Sequence, residues 1–251
     1  RRYPALRLRK RRSSDSRCHL YLFVGNHGSV SSSPTDATSL DPTRTWVIDG
    51  GPQVPSLPSD PLPTLVIAAD IGYRHARALG LSVDVVVGDF DSLASDEPRL
   101  TDPGLIIERH PQDKDVSDLA LALRFAWNTG ATSVDVLTGG EGRLDHLVVG
   151  LMLIANTENI DQRIVTHCGA SRAMALKPGK PFDLDVVSGS WLTLLALGAD
   201  TRVSTSGLRW DLAASDEISS FSSLGLSNEV VGRPVITVQQ GILLVVVTSR
   251  D

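Results

Sequence analysis

Acidic side chains recur in this sequence where short apolar runs end. Asp70 follows Leu65 to Ala69, and Asp89 and Asp91 follow Val83 to Val87 in Gly88-Asp89-Phe90-Asp91-Ser92. Asp115 and Asp118 lie in Lys114-Asp115-Val116-Ser117-Asp118. Alternate residues of an extended segment face the same way, so Asp89 and Asp91 point together. Carboxylates gathered on one rim repel unless a cation holds them. Oxygen donors with no His or Cys nearby select a hard cation such as Mg²⁺ over Zn²⁺. A single Asp at a strand end is readily explained as a cap or turn residue; five in this arrangement point to a cation site.

A second candidate is Gly139-Gly140-Glu141-Gly142-Arg143-Leu144-Asp145-His146, between a strand and a helix. Glycines let backbone N–H groups approach a ligand, and a helix N-terminus attracts phosphate. Arg143 adds a fork of donors suited to phosphate oxygens. Asp145 either holds Arg143 or caps the helix. The run matches neither the dinucleotide fingerprint nor the P-loop, and a plain tight turn explains it equally well. A third candidate is Thr205-Ser206-Gly207-Leu208-Arg209-Trp210-Asp211-Leu212 with Gly225-Leu226-Ser227-Asn228-Glu229, where Trp210 beside a polar turn can stack on a flat ring. Trp191 reads as core. The six histidines (19, 27, 75, 110, 146 and 167) show no metal-ligand spacing, and His146 reads as a helix-surface residue. There is no nucleophile elbow, and Cys168 reads as a small apolar residue.

These residues need elements to position them. Trp46 to Ile48, Leu65 to Ala69, Val83 to Val87, Val134 to Leu137 and Ile164-Val165 read as strands. Tyr73 to Leu79, stopped by Gly80, reads as a helix. So does Ser117 to Asn128, where Leu119, Ala122, Leu123 and Ala126 keep helical spacing and Gly130 closes the element. A helix near Leu144 to Leu153 is apolar on every face and is expected to be buried nearly all round. Strand–helix alternation with continuous apolar strands predicts a mostly parallel sheet covered on both faces. Ligands bind such sheets outside the carboxyl ends of the strands, where the aspartates lie. Beyond about residue 167 the pattern turns all-β: Leu184 to Val187, Trp191 to Leu197, Arg202 to Thr205, Val235 to Val238 and Leu243 to Thr248. The expected architecture is α/β. Residues 45–167 form a mostly parallel nucleotide-binding domain, residues 168–251 a smaller all-β sandwich domain, and residues 1–44 a basic, low-complexity extension. Leu20 to Val24 could add a strand within that extension.

Composition bounds the function. The chain has 251 residues, a mass of 26.9 kDa and a net charge of −5. Residues 1–17 hold eight basic side chains and one acid, which leaves the rest with 16 basic and 28 acidic residues, a net charge of −12. An acidic body argues against a nucleic-acid-binding fold and suits one that holds cations. No apolar run reaches the ~20 residues of a membrane span. Two cysteines, Cys18 and Cys168, and no apolar signal core behind the basic start predict a cytoplasmic protein.

In these blocks the sequence resembles the thiamine pyrophosphokinases. The likeness runs from about Thr45 to the C-terminus through Ala69-Asp70 with Gly72, Gly88-Asp89-Phe90-Asp91-Ser92, Lys114-Asp115-x-Ser117-Asp118, Gly142-Arg143-Leu144-Asp145-His146, Ser206-Gly207-Leu208-Arg209-Trp210 and Leu226-Ser227-Asn228. Any one block is weak; the ordered set is strong. The resemblance implies transfer of pyrophosphate from Mg²⁺–ATP to the hydroxyethyl group of thiamine, with AMP released. It implies a homodimer with active sites between subunits. Carried over, Asp70, Asp89, Asp91, Asp115 and Asp118 would hold Mg²⁺. Gly72, Lys114, Arg143 and Asp145, with Asp70 and Asp115, would serve ATP. Asp89, Asp91, Asp118 and Arg143 would be catalytic, with Asp118 or Asp91 as proton acceptor. Trp210, Ser227 and Asn228 would bind thiamine from the partner subunit. The sequence departs from the family at Ile71, where the family has Gly, and at Ser117, where Thr is commoner. Two alternatives stand beside this reading: a pyrophosphokinase for another heterocyclic alcohol such as a hydroxymethylpterin, and a non-catalytic thiamine or nucleotide binder.

Overall fold

The computed structural model describes residues 43–58, 62–90, 100, 102, 104–156, 159 and 163–250. The expectations for the basic extension, for Leu20 to Val24 and for Asp91 fall outside these residues.

Six strands pair in parallel: β1 (Thr45–Ile48), β2 (Leu65–Ala69), β3 (Val85–Gly88), β4 (Ile106–Arg109), β5 (Ser133–Thr138) and β6 (Arg163–Cys168), in the order β6-β5-β1-β2-β3-β4. β1, β2 and β3 are buried along their whole length, as expected of strands covered on both faces. Helix α1 (Gly72–Ala78) sets Tyr73 and Ala76 against Trp46, Ile48, Val66, Ala68 and Val86. Helix α2 (Asp118–Thr129) packs on β1, β2 and β3. Ser117 caps it by accepting from the Ala120 N–H at 3.3 Å, and Gly130 ends it at φ +98°.

The chain then reverses. β6 pairs antiparallel with β7 (Ser171–Leu176). The sheet continues through β13 (Leu243–Thr248), β9 (Trp191–Ala196), β12 (Asn228–Gln240), β10 (Thr201–Leu208) and β11 (Glu217–Ile218), with β8 (Phe182–Asp183) beside β12. β12 joins two layers. Asn228 and Glu229 pair with Leu192 and Trp191 of β9, whereas residues from Val230 onward pair with β10. Leu192, Leu194, Leu243 and Val245 from one layer and Val203, Ile236 and Val238 from the other enclose a second apolar core. The fold is therefore mixed α/β, with a large sheet and few helices.

Three expectations are corrected. The apolar helix α3 (Leu144–Leu153) has no buried residue, and Leu144 and Met152 are 71% and 57% exposed. Leu184 to Val187 is not a strand, although Leu184 is buried; only Phe182–Asp183 pairs there. Trp191 is exposed rather than core, with the Arg250 guanidinium 3.3 Å from its ring centroid. The strands β4, β7, β8 and β11 were not anticipated. β4 lies at the sheet edge and is buried only at alternate, intermediate positions. No helix among the described residues is long and apolar enough to cross a membrane.

One close approach fixes the start of α1. A Cβ on Gly72 would fall 2.0 Å from the Ile48 carbonyl oxygen. Gly72→Ala is expected to destabilise the protein by about 3 kcal/mol, because backbone rather than a flexible side chain must yield. Urea denaturation would measure it, and an unchanged midpoint would refute the packing role.

Candidate active site

The carboxyl ends of the parallel strands open on a cleft of about 1020 Å³. Each predicted acidic residue among the described ones reaches it by a different route. Asp70 leaves β2 at φ +45°, its N–H bonded to the Val87 carbonyl at 2.9 Å. Asp89 leaves β3, followed by Phe90 at φ +63° with its ring buried. Left-handed backbone is uncommon outside glycine and collects at functional sites. Asp115 and Asp118 come from the start of α2. A Cβ on Gly88 would stand 3.3 Å from both Asp118 Oδ1 and Asp70 Cβ, so the bare glycine brings these two residues side by side.

Lys114 binds the group together. Its Nζ lies 3.1 Å from Asp89 Oδ2 and 3.1 Å from Asp118 Oδ1. Burial pulls the ammonium pKa down, but hydrogen bonds and charge from Asp118 and Asp89 outweigh it and hold the pKa above its ordinary value. Among the described residues, no three acidic, His or Cys side chains stand close enough together to hold a metal ion.

The glycine-rich loop also lines the cleft, through Gly140, Glu141, Gly142 and Arg143. Arg143 is exposed and makes a two-pronged pair with Asp145, at 3.1 and 2.5 Å. Of the two roles open to Asp145, the structure shows the one that holds Arg143. Gln53 Nε2 donates to Glu141 Oε2 at 2.9 Å and ties this loop to the turn after β1. That turn is anchored by His75, whose Nε2 is 2.8 Å from the Gly51 carbonyl oxygen. Ile71 lines the cleft in ordinary right-handed helical backbone, so the family's glycine is not needed there for its φ angle. Gly72 does not line it; its role is the contact with Ile48.

Trp210, Ser227 and Asn228 are not part of this cleft. They gather in the β half. Asn228 is buried, and its side chain grips the Trp210 backbone from both sides, accepting from N–H at 3.1 Å and donating to the carbonyl at 2.7 Å. Ser227 is exposed at φ +53°, a third left-handed residue in a predicted motif.

The comparisons follow this division. The sequence model of the thiamin pyrophosphokinase catalytic domain matches residues 63–166, and that of the thiamin pyrophosphokinase vitamin B1 binding domain matches residues 181–243. Together they span two thirds of the chain. The chain belongs to the thiamin pyrophosphokinase family. Thiamine diphosphokinase is its activity, and the pterin and non-catalytic alternatives are not favoured. The fold is similar to that of a thiamine pyrophosphokinase from Bacillus subtilis (21% identity, TM-score 0.72, 83% of this chain and 100% of that one). It is also similar to thiamin pyrophosphokinases from Geobacillus thermodenitrificans (22%, 0.71, 83% and 98%) and Candida albicans (14%, 0.64, 90% and 98%). A search of the curated proteins finds no match.

Sequence reasoning missed Asp49, the residue that follows β1 and lines the same cleft. Its position after a strand, like that of Asp70, was the available signal. Burial raises its pKa to about 6, and the charge of Asp118 adds to that; the Gly50 N–H and His146 pull the other way. A carboxyl raised in the native state keeps a proton that the unfolded chain has released. Stability is therefore lost as pH rises from about 4 to about 6. Asp49→Asn is expected to raise stability at pH 7.5 by up to about 3 kcal/mol and to change it little at pH 3.5. Thermal denaturation at the two pH values measures this; equal shifts at both would refute it.

Proposed function

We propose that the cleft binds ATP with Mg²⁺ and that the thiamine hydroxyl attacks the β-phosphorus directly, with AMP leaving. The observation that carries this reading is the shared rim, where Asp70, Asp89, Asp115 and Asp118 face the same space as Lys114 and Arg143. The aspartates offer oxygen donors of the kind a hard cation takes, but those described do not stand close enough to hold one as they are, and the Lys114 ammonium sits between two of them. Asp70, Asp89, Asp91, Asp115 and Asp118 would hold Mg²⁺, which neutralises phosphate charge when bound. Lys114 then turns to a phosphate oxygen. Arg143, at the N-terminus of α3, orients the triphosphate. Asp118 or Asp91 accepts the hydroxyl proton as the new oxygen–phosphorus bond forms and the bond to the AMP oxygen breaks. Positioning and charge supply most of the rate.

The β half supplies thiamine binding, with Trp210 stacking on the substrate and Ser227 beside it. Because that cluster lies off the cleft, a second copy of the chain completes each site. The apolar, uncovered face of α3 supports such a homodimer. The free Cys168 thiol suits a reducing cytoplasm.

Thiamine-dependent AMP release from Mg²⁺–ATP tests the chemistry. Asp89→Ala is expected to lower kcat at least about 100-fold while leaving the melting temperature nearly unchanged. Near-normal turnover would remove Asp89 from the site. Met152→Glu is expected to convert the dimer to a monomer in light scattering and to abolish thiamine turnover. A wild-type monomer with full activity would refute the shared site.

A further inference from the structure

We propose that Glu229 is a positioning residue for thiamine: through Arg209 it secures one face of the Trp210 indole and offsets the neighbouring positive charge. The inference rests on the placement of thiamine at Trp210.

The Trp210 backbone is pinned by Asn228, yet the residue is 60% exposed. The Arg209 guanidinium stands 5.7 Å from the indole centroid, within the reach of a cation–π contact. Arg209 is fixed in turn by Glu229. Its Nη1 is 3.0 Å from Glu229 Oε2, and its N–H donates to the Glu229 carbonyl at 2.8 Å. The other carboxylate oxygen of Glu229 faces Arg250 Nη1 at 3.8 Å, and Arg250 stacks on Trp191. The Glu229 side chain is 22% exposed against 57% for Arg209, so the carboxylate is the more enclosed partner.

The charge balance bears on the ligand. Two guanidiniums share one carboxylate beside an open aromatic face, and thiamine arrives with a cationic thiazolium ring. Without the carboxylate, the Arg209 charge would repel that ring unopposed, and Arg209 would be free to leave the indole. As an exposed ion pair the contact adds little stability; its effect falls on where Trp210 and the charges stand.

Glu229→Gln is expected to raise the KM for thiamine about tenfold, with kcat and the KM for ATP within about twofold of wild type. In an Arg209→Met background the same substitution should add little, because Glu229 acts through Arg209. Glu229→Asp should recover part of the loss. An unchanged thiamine KM in Glu229→Gln, or equal losses in kcat and both KM values, would overturn the proposal. Trp210→Ala, measured alongside, separates the two layers of the argument. If it raises the thiamine KM and Glu229→Gln does not, only the role of Glu229 fails; if neither does, the placement of thiamine at Trp210 fails with it.

Discussion

The gathering of carboxylates around one lysine at the carboxyl edge of a parallel sheet is the constraint around which this protein is arranged. Asp49, Asp70, Asp89 and Asp118 come from three strand ends and a helix start into one cleft. Like charges in such a space raise one another's pKa or require a counter-charge. The counter-charge is present: Lys114 stands between Asp89 and Asp118. Burial, with a smaller addition from the Asp118 charge, pushes Asp49 toward its protonated form. Under the proposed function, such a cleft would favour an incoming cation, and one already bound to polyphosphate would bring the substrate with it.

Holding that arrangement requires a rigid frame. Asp70 and Phe90 adopt backbone conformations that cost about 1–3 kcal/mol each and persist only when the surroundings enforce them. The surroundings here are β1, β2 and β3, buried along their length, with Gly72 packed against the Ile48 carbonyl. The β half works on a different principle. Around Trp210 the side chains are aromatic and cationic, with Glu229 between two arginines. Under the proposed function, the acidic cleft would need a cation before it could take anionic ATP, and the aromatic surface would take thiamine with Glu229 offsetting part of the arginine charge.

Much of this was legible in the sequence because it depends on local pattern. The apolar runs of β1, β2 and β3, the helical spacing of α2 with Ser117 before it and Gly130 after it, and the aspartates at strand ends are all features of neighbouring residues. What escaped depends on partners distant in the chain. β4 is a half-exposed edge strand that only its pairing with β3 defines. Asp49 gains its raised pKa from burial that no short motif announces. Trp191 sits in an apolar run, yet the pleat turns it outward to meet Arg250, 59 positions later. Asn228 carries no mark in the sequence of its grip on the Trp210 backbone.

Helix α3 is the most instructive departure. A helix apolar on all faces belongs in a buried setting, since exposed apolar area is unfavourable by roughly 25 cal/mol per Å². The fold nevertheless leaves Leu144, Val148, Val149 and Met152 uncovered. The sequence pattern and the single chain agree only if the burial comes from outside that chain. The same helix follows directly on Arg143, so whatever covers it also lies beside the part of the cleft that Arg143 lines. With Trp210 lying off that cleft, a second copy would satisfy both needs at once: it would bury the apolar helix and supply an aromatic surface to the cleft. Under the proposed dimer, the hydrophobic effect that joins the subunits is what brings the two substrate surfaces within reach of each other.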